Sequence, residues 1–183
     1  MAEKKLNRRV DPDTEIIVMN NVKGSFFYRS QGDGLVLDLD HFGDEEYVTF
    51  GDLKKMMSRK RVILEKLKLI IVDVDSEEYT VDDVVAALRL TDTYNELKSI
   101  TDGEIGATGI EEFILNSESE DLERLMASKK SKLKNTILET AVELYRKGRL
   151  SDYNKMRTFA KYTGGKYFAD FWKDAELPEG LID

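Results

Sequence analysis

Residues 15–21 read "EIIVMNN", a short β-branched and apolar run that ends in two asparagines. Three more apolar or aromatic runs follow at a spacing of roughly ten residues. They are "GSFFYRS" at 24–30, "GLVLDLD" at 34–40 and "EEYVTF" at 45–50. The segments between them contain glycine, asparagine and aspartate, which tolerate the backbone conformations of tight hairpins. The pattern predicts four short strands in a small antiparallel sheet or a partly closed barrel.

Helix signals begin where the fourth run ends. Thr49 and Thr80 are each followed three residues later by an aspartate, a pattern typical of a capped helix N-terminus. The first cap predicts one amphipathic helix after residue 49. The second predicts a helix over "YTVDDVVAALRL" at 79–90, with a shorter one after it. Between the two caps, "LKLIIVDVD" at 67–75 is rich in β-branched residues and predicts a strand.

The glycine-rich segment "TDGEIGATG" at 101–109 is the strongest candidate for a boundary. Beyond it the spacing of apolar residues predicts helices: one over 117–148 that Gly148 ends, one capped by Ser151, and an aromatic one over 166–175. The sequence therefore predicts an α+β protein. We assign an N-terminal arm to 1–13, a β-rich unit with one helix to 14–75, a helical connection to 76–102 and a helical unit to 110–183.

Composition excludes several kinds of site. The chain has no cysteine and a single histidine, so disulfides, thiolate zinc sites and a cysteine nucleophile are excluded. We expect no membrane partner, because no apolar run approaches the roughly 20 residues of a membrane span. The net charge of −8 is unevenly distributed: −1 over residues 1–75, −11 over 76–125 and +4 over 126–183. This asymmetry favours docking through patches of opposite sign, either to other proteins or to copies of the same chain.

Asp73 and Asp75 are the sharpest candidates for chemistry. An aspartate, one spacer and a second aspartate after an apolar strand resemble the first motif of haloacid-dehalogenase-type phosphatases, where the two acids act with Mg²⁺. The resemblance ends at Ser76-Glu77-Glu78, since two further acids would repel a phosphate. The favoured interpretation is a strand that ends where it meets water.

Other candidate sites are weaker. Asp38, Asp40 and His41 could hold a divalent cation, but the aspartates alternate with leucines and so favour the wet face of a strand. The glycines of 32–43 and of "TGGK" at 163–166 lack the spacing of phosphate-binding loops and favour turns. We therefore expect no catalytic residue, metal or cofactor.

Two basic runs and one aromatic cluster are candidate interaction residues. The basic runs, each predicted on a helix, could contact phosphates or an acidic protein surface. The aromatic cluster could form a docking surface, although such clusters also build cores. The residues are Lys54, Lys55, Arg59, Lys60, Arg61, Lys129, Lys130, Lys132, Tyr167, Phe168, Phe171 and Trp172.

The order of these segments resembles small virion-associated structural proteins of tailed phages of Gram-positive hosts. The resemblance is in layout over about residues 15–95: a strand ending in Asn, an aromatic strand after Gly24, a glycine-bounded turn, "YVTFGDLKKM" at 47–56 and another strand. It implies a protein without catalytic site or cofactor that binds neighbouring subunits of a capsid or tail.

These observations lead to two expectations of function. The first is a non-enzymatic structural or assembly protein of a phage particle, located in the virion after assembly in the host cytoplasm, with other virion proteins or copies of itself as partners. The alternative is a small cytoplasmic regulatory protein that binds nucleic acid or a nucleic-acid enzyme of the host. A hydrolase that uses Asp73 and Asp75 is a distant third.

Overall fold

A computed structural model describes residues 9–30, 32, 34–103, 105, 108–163 and 172–173. The chain divides into two compact units, Met1–Ala107 and Thr108–Asp183. The first unit contains β1 (Glu15–Asn20), β2 (Phe26–Arg29), β3 (Val36–Leu39), β4 (Glu45–Thr49), α1 (Phe50–Lys60), α2 (Val62–Glu65), β5 (Leu69–Asp75), α3 (Val81–Ala87) and α4 (Thr91–Ile100). The second contains α5 (Gly109–Asn116), α6 (Ser119–Ala127), α7 (Lys134–Arg146) and α8 (Tyr153–Tyr162). The predicted α+β class, with an antiparallel N-terminal sheet and a helical C-terminal half, is confirmed.

β1 is the central strand of a three-stranded sheet in the order β4-β1-β5. It runs antiparallel to both neighbours, so β4 and β5 are parallel to each other and are joined by a crossover through α1 and α2. The register shifts between Ile17 and Val18, because Val72 of β5 is inserted there as a bulge. The inward side chains Ile16, Val18 and Val48 are buried.

The sequence predicts that the four consecutive runs form one sheet, and this prediction is wrong. β2 and β3 form a separate antiparallel hairpin, and the third strand beside β1 comes from residues 69–75. One side of the hairpin is buried through Phe26, Tyr28, Leu37 and Leu39. The physical reason for the separation lies at the end of β1, where a buried asparagine turns the chain out of the sheet.

Asn20 is fully buried and uses every hydrogen-bonding group of its side chain. Its Nδ2 donates to the carbonyls of Gly24 at 2.8 Å and His41 at 2.9 Å, and its Oδ1 accepts from the N–H of Val22 at 2.8 Å. Next to it, Asn21 Nδ2 donates to the carbonyl of Leu67 at 2.8 Å. The side chains of these two asparagines therefore hydrogen-bond the turns after β1, before β4 and before β5 and hold them close together.

Of the segment predicted as an arm, residues 1–13, the structure describes only residues 9–13. Val10 is buried, and the carbonyl of Pro12 accepts a hydrogen bond from the N–H of Gly51 at the start of α1. The predicted cap at Thr49 is present, since Asp52 N–H donates to Thr49 Oγ1 at 3.1 Å. The single predicted helix that follows is divided into α1 and α2.

α3 and α4, predicted as a connection, pack within the first unit. Thr80 and Asp83 form the predicted capping box at the start of α3. In α4, the Tyr94 hydroxyl accepts a hydrogen bond from the N–H of Ile71 at 2.7 Å, and both residues are buried. Because β5 has β1 on one side only, this bond satisfies a backbone donor on the edge strand. Burial raises the pKa of the Tyr94 hydroxyl well above its ordinary value, and the Ile71 bond opposes that shift only partly.

In the second unit, the single helix predicted over 117–148 is two helices, α6 and α7. The break falls at 128–133, where the Ser131 side chain accepts from the N–H of Leu133 at 3.3 Å and Leu133 is buried. Serine side chains compete with helical backbone bonds in this way. Gly148 follows α7 with a φ of 68°, as the predicted C-cap requires. The cap of α8 is Asp152 rather than the predicted Ser151.

Buried polar groups fix the helices of the second unit. Lys155 Nζ donates to the carbonyls of Ile114 at 3.1 Å and Leu115 at 2.6 Å, so a buried cation stands at the C-terminal end of α5. That placement complements the helix dipole. At the other end of α5, the largely buried Glu111 forms an ion pair with Arg149 at 2.6 Å. The predicted aromatic helix over 166–175 lies outside the described residues except for 172–173.

We predict that Asn20→Asp destabilises the protein by about 2–4 kcal/mol, because two donors are lost and a carboxylate is placed in a fully buried site beside two carbonyls. Urea unfolding followed by circular dichroism measures the change. The matched control is Asn95→Asp on the exposed surface of α4, where we expect a change within about 0.5 kcal/mol. Equal effects at the two positions would contradict the role assigned to Asn20.

We predict that Tyr94→Phe costs about 1–3 kcal/mol at neutral pH, because the buried Ile71 N–H loses its acceptor. The wild-type protein should also lose stability more steeply than the variant above pH ~10, by up to about 1.4 kcal/mol per pH unit. The sign follows from the raised pKa, since the unfolded chain releases the tyrosine proton at a lower pH than the folded one. Urea unfolding across this pH range is the measurement.

The control for Tyr94 is Tyr47→Phe, which removes an exposed hydroxyl. It should change stability little at neutral pH. Parallel pH dependences for the wild type and Tyr94→Phe would show that the buried hydroxyl does not titrate as the raised pKa requires.

Candidate interaction surfaces

The first surface is the outward side of α1 and the turn after it, which we call the basic helix face. Helical periodicity directs Phe50, Leu53 and Met56 into the core and leaves Lys54, Lys55 and Arg59 on the opposite side. Lys60 and Arg61 are exposed at the C-terminal end of the helix. The face consists of Lys54, Lys55, Arg59, Lys60 and Arg61. All five predicted residues of this run are therefore exposed together on one unit.

The five cations differ in their local partners. Lys55 lies 3.4 Å from the Asp52 carboxylate, and Arg61 lies 2.5 Å from that of Glu65. Arg59 Nη1 donates to the Ser30 hydroxyl at 2.7 Å. Within the described part of the chain, Lys54 and Lys60 have no acidic or hydrogen-bonding partner for their ammonium groups. These two lysines carry the charge that the face can offer to another molecule.

The second surface is the outward side of the three-stranded sheet, which we call the open sheet face. Strand alternation directs its side chains away from the buried side of Ile16 and Val48. Its exposed and half-buried positions hold four acids and no base: Glu15, Ile17, Glu45, Tyr47, Thr49, Asp73 and Asp75. Met19 and Ile70 on the same side are buried. Tyr47 is 56% exposed at the edge strand, so the face combines an aromatic ring with carboxylates.

The open sheet face places like charges in direct opposition. Glu15 pairs with Asp75 across β1 and β5, and in the row beside them Ile17 stands between Tyr47 and Asp73. Like charges directly opposite in a sheet are destabilising. Within the described part of the chain, the Asp73 carboxylate accepts one hydrogen bond, from the neighbouring N–H of Val74 at 2.8 Å. Both aspartates are exposed at the end of a strand.

Asp73 and Asp75 are exposed and face Ile17 and Glu15 of β1. Among the described residues, no three side chains of histidine, cysteine, aspartate or glutamate are grouped so that they could hold a metal ion. Asp38 lies on the exposed side of β3, and the His41 ring is exposed in the following turn, 3.5 Å from Asp44. The carbonyl of His41 is occupied by Asn20.

The remaining predicted residues lie in the second unit or outside the described chain. Lys129, Lys130 and Lys132 are exposed, but in the link between α6 and α7 rather than on a helix. Trp172 is only 3% exposed: its Nε1 donates to the carbonyl of Met156 at 3.1 Å and its ring lies 4.8 Å from that of Tyr145. Its indole therefore belongs to the core of its unit. Tyr167, Phe168, Phe171 and the "TGGK" segment after Thr163 lie outside the described residues.

Sequence reasoning found the basic helix face but missed the open sheet face. Glu15, Ile17, Tyr47, Asp73 and Asp75 occupy alternate positions of their strands, which is the signal for a shared side. That signal becomes a surface only once β1 is known to lie between β4 and β5. Strand order depends on contacts that are distant in sequence, and no local pattern in the chain specified it.

Comparison with known proteins gives no relative for this chain. No protein-family model matches it, and neither does any curated protein or solved structure. None of the helices in the described part of the chain has the length and apolarity that crossing a membrane requires.

We predict that Asp75→Thr stabilises the protein by about 0.2–1 kcal/mol relative to the same change at Asp38, because it removes the acid opposite Glu15. Asp38 is the matched control: it is an exposed strand aspartate that faces Phe27 instead of an acid. Urea unfolding at low and high salt is the measurement, and the advantage should shrink as salt screens the repulsion. An advantage that does not depend on salt would contradict the electrostatic explanation.

Proposed function

We propose that this protein is a non-enzymatic structural or assembly protein of a tailed-phage particle, acting through protein–protein contacts. The observation that supports the proposal best is the separation of exposed charge on the first unit. Lys54 and Lys60 of α1 present cations that have no acidic partner among the described residues, while Asp73 and Asp75 present carboxylates beside the exposed ring of Tyr47. The segmental layout that resembles small virion proteins supplies the particle context.

Charged faces of this kind favour recognition rather than catalysis. Electrostatic complementarity guides encounter and fixes register, and aromatic rings contribute to affinity at the centre of an interface. The proposed partners are other virion proteins or copies of the same chain, and the proposed location is the virion after assembly in the host cytoplasm. No cofactor, metal or small-molecule substrate is part of the proposal.

The second candidate function is a small regulatory protein that binds nucleic acid or a nucleic-acid enzyme of the host. Lys54 and Lys60 favour it, because cations on one helix face can contact phosphates. Two observations weigh against it. Lys55 and Arg61 already neutralise acids of their own helices, and the net charge of −8 opposes the approach of a polyanion. A dedicated nucleic-acid binder would present a stronger positive face.

The test is quantitative mass spectrometry of purified particles, with the major coat protein as the internal reference. We expect this protein at a fixed ratio to the coat protein, and we expect Lys54→Gln/Lys60→Gln to lower that ratio by about tenfold, because the exposed cations that dock it are lost. The matched control is Lys98→Gln, a lysine that forms its ion pair inside the first unit with Asp82. It should leave incorporation unchanged.

Absence of the protein from particles, with normal expression in infected cells, would contradict the particle function. Binding to duplex and single-stranded oligonucleotides then tests the second candidate. Each phosphate contact should steepen the fall of log affinity with log salt by about 0.7–0.9. Affinity that does not change with salt would exclude the phosphate contact.

A further inference from the structure

The two charged faces of the first unit lie on different elements, one on α1 and the turn after it and one on the three-stranded sheet. In the sheet, Ile16, Val18 and Val48 are buried on one side, so Ile17 and Tyr47 face the other way. α1 follows β4 directly and is buried through Phe50, Leu53 and Met56. Its exposed cations are therefore separate from the carboxylates of the open sheet face. One unit carries a basic pole and an acidic pole.

The poles are complementary in more than charge. The acidic pole has an apolar centre in Tyr47 and Ile17, bordered by the carboxylates of the open sheet face. The basic pole has Val62, which is 44% exposed immediately after Arg61. An interface needs apolar contact at its centre and charged groups at its rim. Contact between the two poles would bring their apolar side chains together at the centre and their opposite charges together at the rim.

We propose that the basic helix face of one copy of this chain docks on the open sheet face of a second copy. The partner is thus another molecule of the same protein, and the contact joins two different faces. Such a heterologous contact leaves one free pole on each end of the pair, so further copies add to form an open chain or a ring. The inference rests on the proposed assembly function and names one of its partners.

The same contact accounts for the like charges of the open sheet face. Glu15 and Asp75 repel each other in the isolated unit, and ammonium groups from Lys54 and Lys60 of a second copy would replace that repulsion with attraction. Exposed ion pairs are individually weak and are screened at physiological salt. The self-association should therefore be strong at low salt and weak at high salt.

Two variants of the full-length protein test the proposal by sedimentation velocity. Lys54→Glu/Lys60→Glu removes the basic pole, and Asp73→Lys/Asp75→Lys removes the acidic pole. At low salt we expect the wild type to form species larger than a dimer that grow with concentration, and each variant alone to associate at least about tenfold more weakly. An equimolar mixture of the variants should associate again, because the intact basic pole of one meets the intact acidic pole of the other and the two charge-reversed poles also attract each other.

The matched control is Lys147→Glu/Arg157→Glu, which makes the same charge change on exposed positions of the second unit and should associate like the wild type. Circular dichroism and urea unfolding of each variant establish that it is folded. A monomeric wild type at low salt, variants that associate like the wild type, or a mixture that stays monomeric would each overturn the proposal.

The outcome is distinguishable from that of the function itself. A monomeric wild type that is still found in particles would end the self-association proposal and leave the assembly function intact. Head-to-tail association of a protein that is absent from particles would support the self-association proposal and contradict the assembly function.

Discussion

The first unit depends on the buried side-chain amide of Asn20. Its three side-chain hydrogen bonds reach Val22, Gly24 and His41, and its backbone groups pair with Gly43 and Asp44 at 2.8 Å each. An aspartate lacks the two donors, and an aliphatic side chain would leave the carbonyls of two turns without a partner. Because these turns precede and follow the hairpin β2–β3, one side chain determines where the hairpin leaves the sheet and where β4 enters it.

With β1 fixed in the centre, the two edges of the sheet are protected in different ways. On β5, the bulge at Val72 interrupts the ladder and the hydroxyl of Tyr94 takes the N–H of Ile71. On β4, Glu45 and Glu46 are exposed and charged, which disfavours pairing with a foreign strand. On the edge of β5, the N–H of Ile71 is therefore already paired. The open sheet face is therefore available to side-chain contacts, whereas strand addition is opposed at both edges.

Local signals predicted local structure well. The predicted helix caps at Thr49 and Thr80 are present. They were predictable because a capping residue and its partner are three positions apart and need no tertiary contact. The strands were also found, but their pairing was not, since β1 and β5 are separated by about fifty residues and any pairing among five apolar runs satisfies the same local pattern. The break at 128–133 was missed because apolar spacing continued through it.

The same difference between local signals and contacts distant in sequence applies to the candidate surfaces. The basic helix face was predictable because α1 alone determines it, and the burial of Trp172 was not, because its contacts with Tyr145 and Met156 come from other helices. Asn20 was interpreted as part of a turn signal. Its structural role depends on a hydrogen bond to the carbonyl of His41, 21 residues away, and no local motif predicts that bond.

Local rules are broken where function is under selection, and the open sheet face breaks one. Placing Glu15 opposite Asp75 costs stability that a threonine at either position would recover. A fold selected for stability alone has no reason to keep that opposition on an exposed sheet, where exchange of one residue disturbs no core contact. The proposed contact with a second copy would give it a reason, because the repulsion present in the free unit would become attraction in the complex. In the proposed self-association, the carboxylates at the end of β5 bind positive charge, a role that the sequence did not predict for them.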